Sequence, residues 1–447
     1  MSGPKNDVFA GAALFLPLEP ESLETLDISS VLLEGLVLKA LSGRSVMIAG
    51  DIANELNLPY FGVIEPIIEQ LRATKLVEVI RGDLQAISYA LAISDAGRER
   101  AAQYFEQSAY TGPAPVSIQS YIAAVKIQSI RNIQINQRRL SAAFSGLVFD
   151  EEILHQVGPA TNSGQSIFLY GPPGNGKTSI SERIVDAFGG YIFIPYCIEV
   201  NGAIIRLFDD YNHKEVTADD DVRLHQKYDR RWRLINRPVI IVGGELTLNS
   251  LDLIWNQESR FYEAPFQMKA NGGCFMIDDF GRQRMDPKDL LNRWIVPLEK
   301  KVDYLTLHTG VKIQVPFDEL LVISTNLDPR QLVDEAFLRR LRYKIPINNP
   351  SEENFKKIWQ IVSKAKGVPY SDEVVDYFVA KHMRPKNRPF RGCLPRDILE
   401  LVIDSCRYNQ VPITISPELL DAASQAYFVD MGESLLVGDK GSARPLI

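Results

Sequence analysis

Residues 166–179 read SIFLYGPPGNGKTS and decide the fold of the chain. Residues 166–170 are a mostly apolar run of strand length, and residues 179–188 carry apolar side chains at helical spacing. Between them, residues 171–178 fit the P-loop pattern of glycine, four residues, glycine, lysine and threonine. A strand, a glycine-rich loop and a helix in this order predict a site for a nucleoside triphosphate.

The P-loop pattern gives each residue type a task. Glycines let backbone N–H groups curl round phosphate oxygens, and the helix N-terminus adds partial positive charge. We expect Lys177 to reach the β- and γ-phosphates and the Thr178 hydroxyl to bind Mg²⁺. The other predicted nucleotide-binding residues are Gly171, Pro172, Pro173, Gly174, Asn175, Gly176 and Ser179. ATP and Mg²⁺ are therefore the expected cofactors.

The composition is that of an ordinary soluble globular protein. Of 447 residues, 45% are hydrophobic and 23% charged, and the length suits two or three domains. The net charge of -7 offers no general attraction for nucleic acid or anionic lipid. Four widely spaced cysteines indicate neither a zinc site nor a disulfide framework, and reduced thiols favour a cytoplasmic location. The apolar stretch at residues 8–18 is too short to cross a bilayer, so we expect no membrane span.

Residues 28–110 have the element order of a small α+β domain. Apolar spacing predicts helices at 28–41, 49–56, 60–74 and 94–107, with β-rich runs at 76–80 and 86–93. This order resembles the winged helix-turn-helix family, for which DNA is the obvious partner. The segment holds seven Lys and Arg against ten Asp and Glu, a balance of -3, whereas phosphate contacts by basic residues dominate duplex affinity. We therefore expect this domain to contact protein, with DNA as the disfavoured alternative.

Two later strands are predicted to end in polar residues at the nucleotide site. Residues 274–279 read CFMIDD, an unbroken apolar run followed by two carboxylates, as expected for a buried parallel strand. Residues 319–326 read ELLVISTN. Side chains at the carboxyl ends of parallel strands face the crevice in which such sheets bind ligands. We expect Asp278 to hold Mg²⁺, usually through water, Asp279 to orient the attacking water, and Asn326 to hydrogen-bond that water or the γ-phosphate.

Local patterns predict several further elements. Residues 191–200 are the next β-rich run after the P-loop helix, and residues 201–269 are an insertion that carries substrate contact or is only a surface elaboration. Residues 302–315 alternate about a Thr-Gly turn and predict a β-hairpin. Residues 118–144 are helical by spacing, and Asn349 before a proline is a capping signal for a later helix.

Five motifs in order, GPPGNGKT, CFMIDD, ISTN, an arginine pair and GCLPRD, resemble those of the AAA+ ATPases over residues 150–428. The resemblance implies an α/β fold, an αβα sandwich with a C-terminal helical lid. It assigns Walker A to Lys177 and Thr178, Walker B to Asp278 and sensor 1 to Asn326. It also implies a homo-oligomer, usually a ring of six subunits in which each site is completed by its neighbour's arginine.

Two arginines take their roles from the same resemblance. Arg340 lies in the segment that matches the arginine finger, with Arg339 as the nearer rival, and Arg396 matches sensor 2. The context NGGCFMIDDFG and the hairpin before Asn326 are similar to the branch holding MoxR-type ATPases, magnesium chelatase and bacterial enhancer-binding activators. The implied catalytic residues are Asp279, Asn326, Arg340 and Arg396.

The chain departs from this family in two places. The second Walker B acid is usually glutamate, whereas Asp279 is one methylene shorter. A displacement of about 1 Å can cost about a hundredfold in rate, which predicts slow hydrolysis or a regulatory site. The GAFTGA loop that enhancer-binding activators use on polymerase is missing, which weakens that comparison.

The predicted organisation follows from these patterns. It comprises an N-terminal tail (1–27), a winged helix domain (28–110), a linker and helix (111–149), an AAA+ nucleotide-binding core (150–348), a helical lid (349–430) and a C-terminal tail (431–447). The predicted function is an ATP-hydrolysing ring that remodels or assembles a protein partner, recruited through the winged helix domain. The alternative is a DNA-binding transcription regulator that uses ATP as a switch.

Overall fold

The computed structural model describes residues 15–82, 85–217, 221–332 and 338–428. These residues fall into two compact units. The first, the core unit, is drawn from residues 1–143, 156–170 and 178–345. The second, the helical unit, is drawn from residues 144–155, 171–177 and 346–447. The predicted C-terminal tail lies outside the described residues, as do residues 1–14 of the predicted N-terminal tail.

The strands are β1 Met47–Ile48, β2 Val77–Arg81, β3 Ala90–Ile93, β4 Val116–Ser117, β5 Ile167–Tyr170, β6 Tyr191–Pro195, β7 Cys197–Val200, β8 Ala203–Arg206, β9 Trp232–Asn236, β10 Val239–Val242, β11 Ile254–Asn256, β12 Phe261–Glu263, β13 Cys274–Ile277, β14 Val302–Thr306, β15 Lys312–Pro316, β16 Leu320–Thr325 and β17 Tyr343–Pro346. The α-helices are α1 Ser30–Ser42, α2 Ala49–Glu55, α3 Glu65–Ala73, α4 Asp95–Gln107, α5 Ile118–Ile127, α6 Gln137–Ala143, α7 Glu151–Ser163, α8 Lys177–Phe188, α9 Phe266–Lys269, α10 Pro287–Arg293, α11 Ile295–Lys300, α12 Pro329–Leu332, α13 Glu352–Lys366, α14 Asp372–Phe378, α15 Leu394–Tyr408 and α16 Pro417–Tyr427.

The core unit is built on a five-stranded sheet in the order β10-β13-β16-β5-β17. Strands β10, β13, β16 and β5 pair in parallel. Every residue of β13 and β16 is buried, as expected for parallel strands covered on both faces. Trp294 and Phe280 are among the large side chains buried beside this sheet. The predicted α/β P-loop fold is confirmed, because the glycine-rich segment connects β5 to α8.

The run at residues 191–200 does not supply the second strand of this sheet. It divides into β6, which pairs with β9, and β7, which pairs with β8, and both pairs are antiparallel. The next strand of this sheet after β5 in the chain is β10, which pairs with the edge of β13 opposite β16, so residues 189–238 precede it as an insertion. Strand propensity does not tell whether a run joins the parallel sheet or an antiparallel pair. Only the long-range pairing of residues 191–200 decides between the two.

Residues 28–110 contain helices and strands in the expected order. Strands β1, β3 and β2 form an antiparallel sheet, and α1 to α4 surround a buried apolar cluster. The predicted helix at residues 60–74 is shorter, since the backbone is extended at Phe61 and left-handed at Gly62, where φ is +77°. Helix α3 therefore begins at Glu65 and has a proline in its first turn.

The prediction of a single helix at residues 118–144 is wrong. The segment instead forms α5, a 3₁₀ turn at Ile130–Asn132, and α6. Ser129 causes the break, because its hydroxyl accepts a hydrogen bond from the Arg131 amide and donates another to Asp318.

The helical unit holds α13 to α16, packed around Phe355, Trp359 and Phe378. The sequence predicted a helix cap at Asn349, and this prediction is wrong. Helix α13 is capped by Ser351, whose hydroxyl accepts a hydrogen bond from the Asn354 backbone amide. The Asn349 side chain is used elsewhere, as a hydrogen-bond acceptor for Asn175.

The predicted β-hairpin is confirmed, since β14 and β15 pair antiparallel just before β16. Asp286 caps α10, which ends at Arg293, and α11 follows as a separate short helix. Among the described residues, no helix is long and apolar enough to cross a membrane.

Candidate nucleotide-binding site

The P-loop backbone requires its glycines. Gly171, Gly174 and Gly176 have φ angles of +141°, +80° and +80°, a region that favours glycine. A Cβ on Gly171 would lie 2.3 Å from the Ile347 carbonyl oxygen, and one on Gly174 would lie 2.5 Å from the Cys393 sulfur. Both close contacts lie within the helical unit, so side chains at these positions are excluded by conformation and by space.

Lys177 closes the loop on itself. Its side chain is buried, and Nζ donates hydrogen bonds to the carbonyl oxygens of Gly171 at 3.0 Å and Pro172 at 2.9 Å. The carbonyl oxygens of the loop hold this buried ammonium group next to the loop backbone. In that position its charge is suited to bind an anion at the P-loop. Of the other predicted loop residues, Pro173 is exposed and Asn175 is buried.

The core unit brings Thr178 and Asp278, the two expected Mg²⁺ ligands, together. The Thr178 hydroxyl donates to Oδ2 of Asp278 at 3.1 Å, and the Ser324 hydroxyl donates to Oδ1 of the same carboxylate. Ser179 follows in the first turn of α8 and is half-buried. The first acid after β13 is therefore held between the P-loop helix and the neighbouring strand β16.

The second acid has an unusual backbone. Asp279 has a φ of +49°, which for a residue other than glycine costs of order 1–3 kcal/mol and marks functional sites. Asn326 donates from Nδ2 to Oδ1 of Asp279 at 2.8 Å. Gln283 steadies the turn, since its Nε2 donates to the carbonyl oxygens of Asp278 at 3.0 Å and Asp279 at 3.3 Å.

The oxygen ligands at this site suit a Mg²⁺ ion that binds together with phosphates. Thr178 and Asp278 offer one hydroxyl and one carboxylate, and Mg²⁺ is usually held by one or two carboxylates plus substrate phosphates and water. Among the described residues, no group of three or more His, Cys, Asp or Glu side chains could form a metal cage. The donor set therefore matches a metal that arrives with its nucleotide.

The two predicted arginines make local ion pairs. Arg340 is half-buried, and its Nε donates to Oε1 of Glu299 at 2.9 Å, while Arg339 is exposed. Asp334 and Glu335, the nearest acids before this segment in the sequence, lie outside the described residues. Arg396, in the first turn of α15, is 59% exposed and bonds Oδ1 of Asp397 at 2.9 and 2.8 Å.

Sequence reasoning missed three residues that hold this site. Ser324 follows the four apolar residues that begin strand β16, and that contrast was a usable signal. Gln283 and Glu299 lie in irregular or helical segments where nothing local distinguishes them, because their contacts depend on the tertiary fold.

The sequence itself matches one family model, over part of the chain. Residues 351–426 match a family model described as a domain of unknown function (DUF8689). The sequence has no significant match among curated proteins.

Two solved structures give distant likenesses. NtrX from Brucella abortus in complex with ATP is similar at 13% identity and a TM-score of 0.40, over 62% of this chain and 55% of that chain. The Holliday junction branch migration motor RuvB from Thermotoga maritima is similar at 12% identity and a TM-score of 0.35, over 68% of this chain and 72% of that chain. The match thus spans little more than half of NtrX. The fold follows from the parallel sheet and P-loop of this chain, to which likenesses at these scores add nothing.

Proposed function

We propose that this chain is an ATP-hydrolysing AAA+ ATPase that remodels or assembles a protein partner in the cytoplasm. One observation carries the catalytic part of the proposal. Asp278 accepts a hydrogen bond from the Thr178 hydroxyl, while the adjacent Asp279 accepts one from the Asn326 side-chain amide. The two carboxylates therefore have different partners and can have different roles.

The residues divide the chemistry between them. The P-loop amides and Lys177 would bind the phosphates, and Thr178 with Asp278 would hold a Mg²⁺ ion, which would withdraw charge from them. Asp279 orients the attacking water and accepts its proton. Asn326 keeps the Asp279 carboxylate in one orientation, which partly offsets its short side chain. Hydrolysis by this site is slow relative to one that carries glutamate.

The proposal includes a ring, usually of six subunits. Arg340 would complete the site of a neighbouring subunit as arginine finger, with Arg339 as the rival, and Arg396 would act as sensor 2. The pairing of Arg340 with Glu299 in its own subunit gives it an alternative partner when no neighbour is bound. Membership of the branch near MoxR-type ATPases is part of the same proposal.

Recruitment is proposed to occur through residues 28–110 acting as a winged helix domain that binds protein. The element order supports that domain, and α3 exposes Glu69 beside Arg72, whose guanidinium lies 5.6 Å from the Tyr89 ring centroid. The net balance of the segment opposes duplex DNA. The four cysteines are free, as expected of a reducing compartment.

The experiment compares full-length protein with D279N and K177A. We expect the wild type to bind ATP and release phosphate, D279N to bind ATP without turnover, and K177A to bind ATP much more weakly and to lose turnover. A protein partner should be retained by ATP-loaded D279N and not by K177A under the same conditions. Wild-type protein that fails to bind ATP would refute the proposal.

A further inference from the structure

The side chain of Asn175 reaches out of the P-loop to two other segments of the helical unit. Its Nδ2 donates to Oδ1 of Asn349 at 2.9 Å and to the Asn348 carbonyl oxygen at 3.2 Å. Its Oδ1 accepts from the Gly392 amide at 3.0 Å. Asn175 is 6% exposed, so water cannot readily replace these bonds if the loop moves.

A backbone contact reinforces the same junction. The Cys393 amide donates to the Gly174 carbonyl oxygen at 2.7 Å, and the Cys393 sulfur fills the space where Gly174 lacks a Cβ. Residues 348–349 lead into α13, and residues 392–393 lead into α15. The loop is thereby tied to the starting segments of two helices.

The P-loop pattern does not specify the side chain at position 175. Phosphate recognition uses backbone N–H groups and needs no particular side chain at this position. All three hydrogen bonds of the Asn175 side-chain amide are made to residues outside the P-loop. Any shift of the residue 175 backbone toward a phosphate must therefore move the segments at residues 348–349 and 392–393 or break buried hydrogen bonds.

We propose that Asn175 is a positioning residue that couples phosphate binding at the P-loop to the segments leading into α13 and α15. This inference rests on the proposed function, because it takes the P-loop ligand to be ATP. Binding at the loop and the arrangement of these segments are then linked, and by reciprocity each biases the other by the same factor.

The test is amide hydrogen exchange of the full chain with and without Mg²⁺-ATP. In the wild type, we expect ATP to slow exchange at residues 391–396 by about fivefold or more. N175A removes all three bonds, and N349A removes one of them without touching the P-loop. N349A should still bind ATP, and in both variants the ATP-dependent change at residues 391–396 should be lost.

N354A is the matched control, because Asn354 makes an exposed side-chain bond of 2.7 Å to Asp150 in the same unit and does not contact the loop. It should respond to ATP like the wild type. A full response in N175A and N349A, or no response in ATP-bound wild type, would overturn the inference. So would loss of ATP binding by folded N175A with a normal response in N349A, since Asn175 would then belong to the phosphate site alone. Wild-type protein that does not bind ATP instead defeats the proposed function.

Discussion

Asn326 donates a hydrogen bond of 2.8 Å to Asp279, whose backbone is held in the left-handed region at a φ of +49°. A carboxylate fixed by a neighbouring strand and a strained backbone is preorganised for one orientation. D279N should therefore retain ATP binding and lose turnover by about a hundredfold or more, because only the carboxylate can accept a proton. Calorimetry and phosphate release measure the two effects.

D279E is the informative companion. It restores the reach that AAA+ ATPases usually have at this position, at the cost of an extra methylene beside Asn326. Turnover above the wild-type rate would mean that the short side chain limits hydrolysis. If D279N hydrolyses ATP at the wild-type rate, the water is oriented by another group and the assignment is wrong.

Lys177 tests nucleotide binding independently of hydrolysis. K177A removes the ammonium group that donates to the Gly171 and Pro172 carbonyls, and we expect ATP affinity to fall by about tenfold to a hundredfold. K177R, which keeps the charge, should lose less. Thermal unfolding must show that each variant is folded, and unchanged ATP affinity in folded K177A would contradict the prediction.

How far the sequence predicted this site depends on the range of each contact. The P-loop, β13, β16 and the hairpin were predicted because spacing and turn chemistry specify them locally. The Asn175 contacts join residues 174 and 217 positions apart, and no periodicity signals such a pair. The same contact explains the misplaced cap, since Asn349 and Ser351 were both able to begin α13 and tertiary structure had already engaged Asn349.

The insertion shows a second limit. Residues 191–200 have the composition of a strand, but whether such a run joins a parallel core or an antiparallel pair depends on partners far along the chain. The neighbours of β13 in the sheet are β10 and β16, and β10 begins only after the insertion has ended. Element type was predictable here, whereas sheet membership was not.

Glu319 provides a pH-dependent prediction away from the site. Both of its carboxyl oxygens are buried without a hydrogen-bond partner among the described residues, and burial raises its pKa well above the ordinary value of 4.5. Because the folded state favours the protonated acid, this stabilisation is complete below that value and is lost as pH rises through the folded pKa. In E319Q, which does not titrate, the melting temperature should fall less than in the wild type between acidic and neutral pH.

E99Q, which removes an exposed carboxylate on α4, is the matched control for loss of one acid. It should keep the wild-type pH profile of the melting temperature. Parallel profiles for wild type and E319Q would show that Glu319 does not titrate differently in the folded and unfolded states.

DNA binding separates the two proposed partner classes. At low ionic strength we expect the full chain to show no salt-sensitive affinity for duplex DNA, because residues 28–110 carry a balance of -3. The measurement is fluorescence anisotropy of a labelled duplex over a salt titration. Affinity that falls steeply with salt would support the transcription-regulator alternative instead.

Arg340 is predicted to act across a subunit interface even though it pairs with Glu299 in its own chain. An arginine that offsets charge on the γ-phosphate is worth roughly 10³–10⁵ in rate in related phosphoryl transfers. R340A should therefore lose turnover and keep ATP binding. E299Q separates this role from a local ion pair, since it breaks the same pair and should leave turnover intact. R339A identifies the rival, because only the true finger should reproduce the loss.

Mixing two inactive variants decides whether the arginine works in trans. K177A lacks a functional P-loop but carries Arg340, whereas R340A has an intact P-loop and lacks the finger. If subunits exchange, some mixed oligomers place an intact P-loop beside a neighbour's Arg340, and phosphate release should partly return. Subunit exchange is followed by energy transfer between labelled chains, so that a failure to mix is not mistaken for a negative result. Full activity of R340A alone, or no recovery despite demonstrated exchange, would show that Arg340 stabilises its own subunit through Glu299 and does not serve a neighbouring site.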